Sequence, residues 1–128
     1  MTEQRYTLSL KNGSAVIDGN LVSTNIYVDG DKISRLSDKN FESDNTIDCK
    51  NLIVLPGVID SQVHFREPGL EGKETLSSGM LSAISGGVTS IFEMPNTNPP
   101  TANMKEFNNK LNLAKNRMYS NLSLIHIS

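Results

Sequence analysis

Apolar and polar positions alternate in short runs through the first part of the chain. Tyr6-Thr7-Leu8-Ser9-Leu10 is one such run, and it stops at Asn12-Gly13, a hairpin-type turn. Ala15-Val16-Ile17 ends at a second turn, Asp18-Gly19. Asn25–Val28 and Lys32–Leu36 flank a third, Asp29-Gly30-Asp31. Thr46–Asp48 and Leu52–Leu55 close the region. Strands this short, separated by aspartate–glycine turns, predict a small β-sandwich, or part of one, over residues 1–54.

The period changes after Pro56. Val58-Ile59 opens an extended segment that runs through Phe65, and a loop rich in glycine and charge follows from Glu67 to Lys73. Leu76, Met80 and Ile84 recur at the spacing of one helical face, and Gly86-Gly87 is a helix stop. Val88–Met94 is a second β-rich run, ended by Pro95. Thr101 stands where a helix N-cap is expected, ahead of a face carrying Met104, Phe107, Leu111, Ala114 and Met118. Residues 55–121 therefore read strand, helix, strand, helix. This α/β alternation argues for a parallel sheet, either a barrel or an open doubly wound fold. Neither a G-x-G-x-x-G fingerprint nor a phosphate loop follows the first strand, which counts against nucleotide binding.

Composition narrows the classes. Formal net charge is −2 and the pI is near 5.6, with no basic stripe to suggest nucleic acid. The longest apolar run, Leu52–Leu55, is too short to cross a bilayer, and Met1–Arg5 lacks a signal-peptide core. The expectation is a cytoplasmic protein without a membrane or nucleic-acid partner. Cys49 is the only cysteine, which excludes an internal disulfide and a cysteine metal knuckle, and it reads as a small half-buried residue. The only histidines are His64 and His126, fewer than the three or four ligands a zinc ion takes. The last seven residues, Leu122–Ser128, resemble the translation of a sequencing-library adapter; a truncated third strand is the alternative.

The chemistry is concentrated in residues 56–69. Strict strand alternation would put Asp60, Gln62, His64 and Arg66 on one face and Ile59, Val63 and Phe65 on the other. Ionisable groups near the C-terminal end of a barrel strand are where barrel enzymes keep their sites, and a metal or anionic ligand would supply the partners such groups need. By position alone His64 is a metal ligand, a general base or a satisfied core histidine. Arg66 taken singly is more often a surface or salt-bridge residue.

The run Asp60-Ser61-Gln62-Val63-His64-Phe65-Arg66-Glu67-Pro68-Gly69 resembles the signature D-x-H-x-H-x-R-E-P-G of the dihydroorotase branch of the amidohydrolase superfamily. Gly86-Gly87-Val88-Thr89 and Glu93-Met94-Pro95-Asn96-Thr97-Asn98-Pro99 resemble further family motifs in the same order. The resemblance implies an α/β fold in which a small β-sandwich precedes the start of a metal-dependent (β/α)8 barrel, here incomplete. It implies reversible hydrolysis and closure between dihydroorotate and N-carbamoyl-aspartate by a zinc-bound hydroxide, in pyrimidine synthesis. Allantoinase or another cyclic amidohydrolase is the alternative enzyme. The non-enzyme alternative is a silent dihydroorotase-like scaffold for a carbamoyltransferase.

Carried over by position, His64 corresponds to the second metal ligand of the first barrel strand. Arg66 and Asn96 correspond to the groups that hold the substrate carboxylate, and no catalytic residue falls within these residues. Arginine offers a bidentate fork and asparagine a neutral donor, which suits that task. Gln62 stands where the pattern has the first ligand histidine, and an amide oxygen is a poorer zinc ligand than imidazole. One or two zinc ions are expected per full-length chain, poorly held by these 128 residues alone, which are expected to be an inactive fragment. The parent is expected to be a homo-oligomer or a carbamoyltransferase partner.

Overall fold

Two patterns of side-chain alternation produce two different units in the computed structural model, which describes residues 5–124. The chain divides between Pro56 and Gly57. The division falls slightly later than residue 54 because Leu55 and Pro56 line the apolar cavity of the first unit.

The first unit contains strands β1 (Tyr6–Lys11), β2 (Ser14–Ile17), β3 (Asn20–Ser23), β4 (Asn25–Asp29), β5 (Lys32–Ser37), β6 (Ser43–Asp48) and β7 (Ile53–Val54). They form a four-stranded sheet, β5-β4-β1-β6, and a three-stranded sheet, β3-β2-β7. Asp18 and Gly19 both take positive φ, 48° and 77°, and close a two-residue hairpin between Ile17 and Asn20. Asn12-Gly13 does not make the expected hairpin. β1 pairs with β4 and β6, whereas β2 pairs with β3 and β7, so this turn carries the chain from one sheet to the other. Gly13 fits because a Cβ there would stand 2.8 Å from Cβ of Cys49. Cys49 itself is buried rather than half-buried. Tyr6, Tyr27 and Phe41 form an aromatic cluster with ring centroids 5.0 to 6.1 Å apart.

The second unit runs β8 (Val58–Val63), α1 (Leu76–Ser85), β9 (Val88–Glu93), α2 (Met104–Ala114) and β10 (Asn121–Leu124). Its three strands are parallel in the order β10-β9-β8. Asn121–Leu124 thus forms a third strand, while residues 125–128, with His126, lie outside the described residues. Phe65, Leu76, Met80, Ile91 and Ala114 make one buried core, so both helices cover the same face of the sheet. On the other face Ile59 and Phe92 stay 63% and 39% exposed. No helix among the described residues is long and apolar enough to cross a membrane.

The helices differ from their expected faces in detail. Leu76 and Met80 are fully buried, but Ile84 is exposed and Ala83 packs toward the core instead. α1 is capped by Thr75, whose side chain accepts the amide of Ser78 while the Ser78 hydroxyl accepts the Thr75 amide. In α2 the cap is Asn103, not Thr101, because the Asn103 side chain accepts the amide of Glu106. The buried face of α2 is correspondingly rotated. Met104 and Leu111 are exposed, Lys110 and Ala114 are buried, and Met118 lies beyond the helix.

α1 meets the segment that follows β8 at Gly79, where a Cβ would lie 2.4 Å from Cε1 of Phe65. The Phe65 ring is buried and cannot yield cheaply. Gly79→Ala should therefore lower the melting temperature. The overpacking cost of about 1–3 kcal/mol outweighs the roughly 1 kcal/mol gained in helix propensity. A raised melting temperature would show that the ring moves aside.

Candidate functional site

The site lies where β8 and β9 end. Ile59 pairs with Ser90 and Asp60 with Ile91, yet Val63 pairs with Glu93, so three steps along β8 match two along β9. An extra residue is absorbed between Asp60 and Val63, as in a β-bulge. Asp60 is therefore not on one face with Gln62, His64 and Arg66, as uninterrupted alternation predicted. It shares the level and side of Ile91, and its Oδ1 accepts the backbone amide of Gln62 at 3.0 Å. Ile59 takes the opposite side, away from the helices, with Ser90. Past the bulge, Val63 and Phe65 pack toward the helices. Gln62 and His64 alternate with them and are exposed.

His64 and Asn96 meet directly. The Nδ1 of His64 lies 2.8 Å from Oδ1 of Asn96. An amide oxygen only accepts, so Nδ1 donates in this contact, and in the neutral ring Nε2 keeps its lone pair. That is the tautomer in which Nε2 can bind a metal while the other nitrogen fixes the ring. Asn96 reaches this position on a loop held by its own hydrogen bonds. The amides of Thr97 and Thr101 both donate to the Pro95 carbonyl, at 2.9 and 2.8 Å, and their buried hydroxyls bond each other at 3.2 Å. Thr101, expected to cap a helix, is instead part of this latch.

Arg66 is half-buried, and its guanidinium has no carboxylate partner among the described residues. No hydrogen bond joins Arg66 or the Gln62 side chain to His64 or Asn96. The fit to a metal is partial. His64 offers one imidazole and Gln62 one amide oxygen, and no group of three or more His, Cys, Asp or Glu gathers among the described residues. A zinc ion takes three or four protein ligands, so this set does not hold one by itself.

Two ion pairs behind the site have no trace in hydropathy. Glu67, next to Arg66, is buried and bonded by both terminal guanidinium nitrogens of Arg117, at 2.7 and 2.8 Å. The Arg117 guanidinium, opposed in part by burial, holds the Glu67 carboxyl below its usual range. Glu93, the last residue of β9, pairs with Lys110 of α2, and both are fully buried. The second Glu93 oxygen, Oε2, has no hydrogen-bond partner among the described residues. Burial pushes the Glu93 carboxyl up to about 7, against the opposing pull of the Lys110 ammonium. The clue available in sequence was the i+4 and i+7 spacing of Lys110, Ala114 and Arg117, which an apolar periodicity discards.

Comparisons with known proteins agree on one group. Residues 51–123 match the family described as dihydro-orotase-like. The dihydroorotase of Thermococcus kodakarensis is 37% identical over 109 residues, covering 85% of this chain and 27% of that protein. The dihydroorotase of Methanothermobacter thermautotrophicus is 41% identical over 112 residues, covering 88% of this chain and 25% of that one. Among solved structures, the L-hydantoinase (dihydropyrimidinase) of Arthrobacter aurescens superposes with a TM-score of 0.83 at 31% identity, covering 94% of this chain and 28% of its own. The chain thus spans about a quarter of the length of the curated relatives it matches.

The Glu93 pair sets a pH dependence. A carboxyl whose folded pKa is raised contributes its full stability below the ordinary value of 4.5 and loses it as the pH rises through about 7. The native protein should therefore lose stability relative to Glu93→Gln across that window, as read by denaturant unfolding at a series of pH values. Parallel curves would rule out the shift. Lys110→Met removes the pull that opposes burial, so it should raise the Glu93 carboxyl further and carry the loss of stability to higher pH in the same unfolding series.

Proposed function

This chain belongs to the dihydro-orotase-like family, and on that footing we propose that it supplies the first corner of a cyclic amidohydrolase site in a protein of its relatives' length. The reaction proposed is reversible hydrolysis of dihydroorotate to N-carbamoyl-aspartate. The observation that carries this reading is the His64–Asn96 bond, which commits Nδ1 and leaves Nε2 available as a ligand. The covered and bare faces of the parallel sheet support a (β/α)8 barrel. Helices on one face only are what a barrel requires, whereas a doubly wound sheet is covered on both.

In this reading Gln62 and His64 stand at the first and second ligand positions of the first barrel strand, with the remaining ligands supplied from outside these residues. The ion, when bound, activates water toward an amide carbonyl. The chain's own residues do the binding. Arg66 presents a guanidinium with no carboxylate partner among the described residues, suited to a ring carboxylate. Asn96 spends its oxygen on His64 and keeps its NH2 group for the same anion.

Arg66→Lys in the full-length protein keeps the charge but loses the fork. It should lower kcat/KM for dihydroorotate by about 10- to 100-fold with bound zinc unchanged. Unchanged kinetics would remove Arg66 from the site. Gln62 favours a second reading, a metal-poor or silent relative that serves as a scaffold, and zinc per chain separates the two. Gln62→His should raise zinc content measured by elemental analysis; equal content in both proteins would mean that Gln62 is not what limits metal binding.

A further inference from the structure

We propose that Glu67 and Arg117 are positioning residues that keep the neighbouring Arg66 available to a substrate carboxylate; this rests on the reading of Arg66 given above. Glu67 is the anion nearest to Arg66 along the chain, and it would be a natural partner for that guanidinium. It is instead fully engaged elsewhere. Oε1 accepts Nη1 of Arg117 at 2.7 Å, while Oε2 accepts Nη2 at 2.8 Å and the Leu76 amide at 2.8 Å. Arg117 is anchored in turn, with Nη1 donating to the Leu113 carbonyl at 3.1 Å and Nε to the Ser77 hydroxyl at 3.2 Å. One guanidinium thus ties the loop after β8 to the first turn of α1 and the last turn of α2.

The consequence for Arg66 is geometric and electrostatic. Its backbone is held on one side by the buried Phe65 ring and on the other by the clamped Glu67. The same loop is sewn to the one that carries Asn96. The Asn98 amide donates to the Pro68 carbonyl at 3.0 Å, and a Cβ at Gly69 would stand 2.0 Å from the Asn98 carbonyl oxygen. Arg117 also neutralises the carboxylate that would otherwise compete with substrate for Arg66. With Glu67 held below the usual carboxylate range, this neutralisation persists into mildly acid solution.

The test uses the full-length protein with Arg117→Lys, which keeps the charge and loses the fork, and Glu67→Gln, which keeps an oxygen for the Leu76 amide. Both should raise KM for dihydroorotate at least about tenfold while kcat and zinc per chain stay within about twofold. Both should weaken binding of orotate, a planar carboxylate analogue, by a similar factor. A merely structural pair would lower kcat, zinc content and melting temperature together and leave KM unchanged; that result, in whichever variant folds, overturns the proposal. An unsubstituted protein that binds orotate without turning over dihydroorotate sinks the catalytic reading alone, and the binding ratio then decides the clamp. Loss of orotate binding in the unsubstituted protein overturns both.

Discussion

The burial of one ring orients the site. Phe65 sits in the core of the second unit, in van der Waals contact distance of Gly79 and packed with Leu76, Met80, Ile91 and Ala114. A residue in an extended segment that points into the core sends its neighbours away from it. With Phe65 committed inward, His64 stands exposed on the side where Asn96 reaches it. The hydrophobic effect fixes the ring, and the ring fixes the imidazole. No polar interaction at the site would set that direction as firmly, because surface hydrogen bonds contribute only about 1 kcal/mol each.

The bulge before Val63 is the second part of the same device. Without it, Asp60 would share a face with His64 and add a carboxylate beside the imidazole. With it, Asp60 is turned to the level of Ile91 and spends an oxygen on the Gln62 amide that the extra residue frees from the ladder. One short polar side chain thus stabilises the irregularity that moves it out of the site.

Much of this was legible in the sequence, for identifiable reasons. The turns at Asp18-Gly19 and Gly30 were readable because positive φ selects glycine and aspartate. The pairing of His64 with Asn96 lay within reach because both sit just past strand ends, on loops at one end of a parallel sheet. What stayed hidden depended on partners distant in sequence. The expected face of α2 held Leu111 and passed over Lys110, one position earlier, which only its pairing with Glu93 makes a core residue. The bulge is a register property of two strands, invisible in either alone. Asn12-Gly13 has the composition of a hairpin turn, and nothing local reveals that the strands on either side belong to different sheets.

The interleaved pairing of the first unit has a consequence for how the chain acquires its structure during synthesis. β1 lies between β4 and β6, so the first strand to emerge waits for residues as late as Asp48 before both of its edges are satisfied. Closing such a loop costs entropy before the β1–β6 contacts repay it. The parallel sheet is ordered differently. β8, β9 and β10 are neighbours in the order in which they are made, so each new strand docks on the one before. Pairing in the second unit thus follows chain order while pairing in the first does not, and the residues of the site belong to the unit whose strands can dock as they are made.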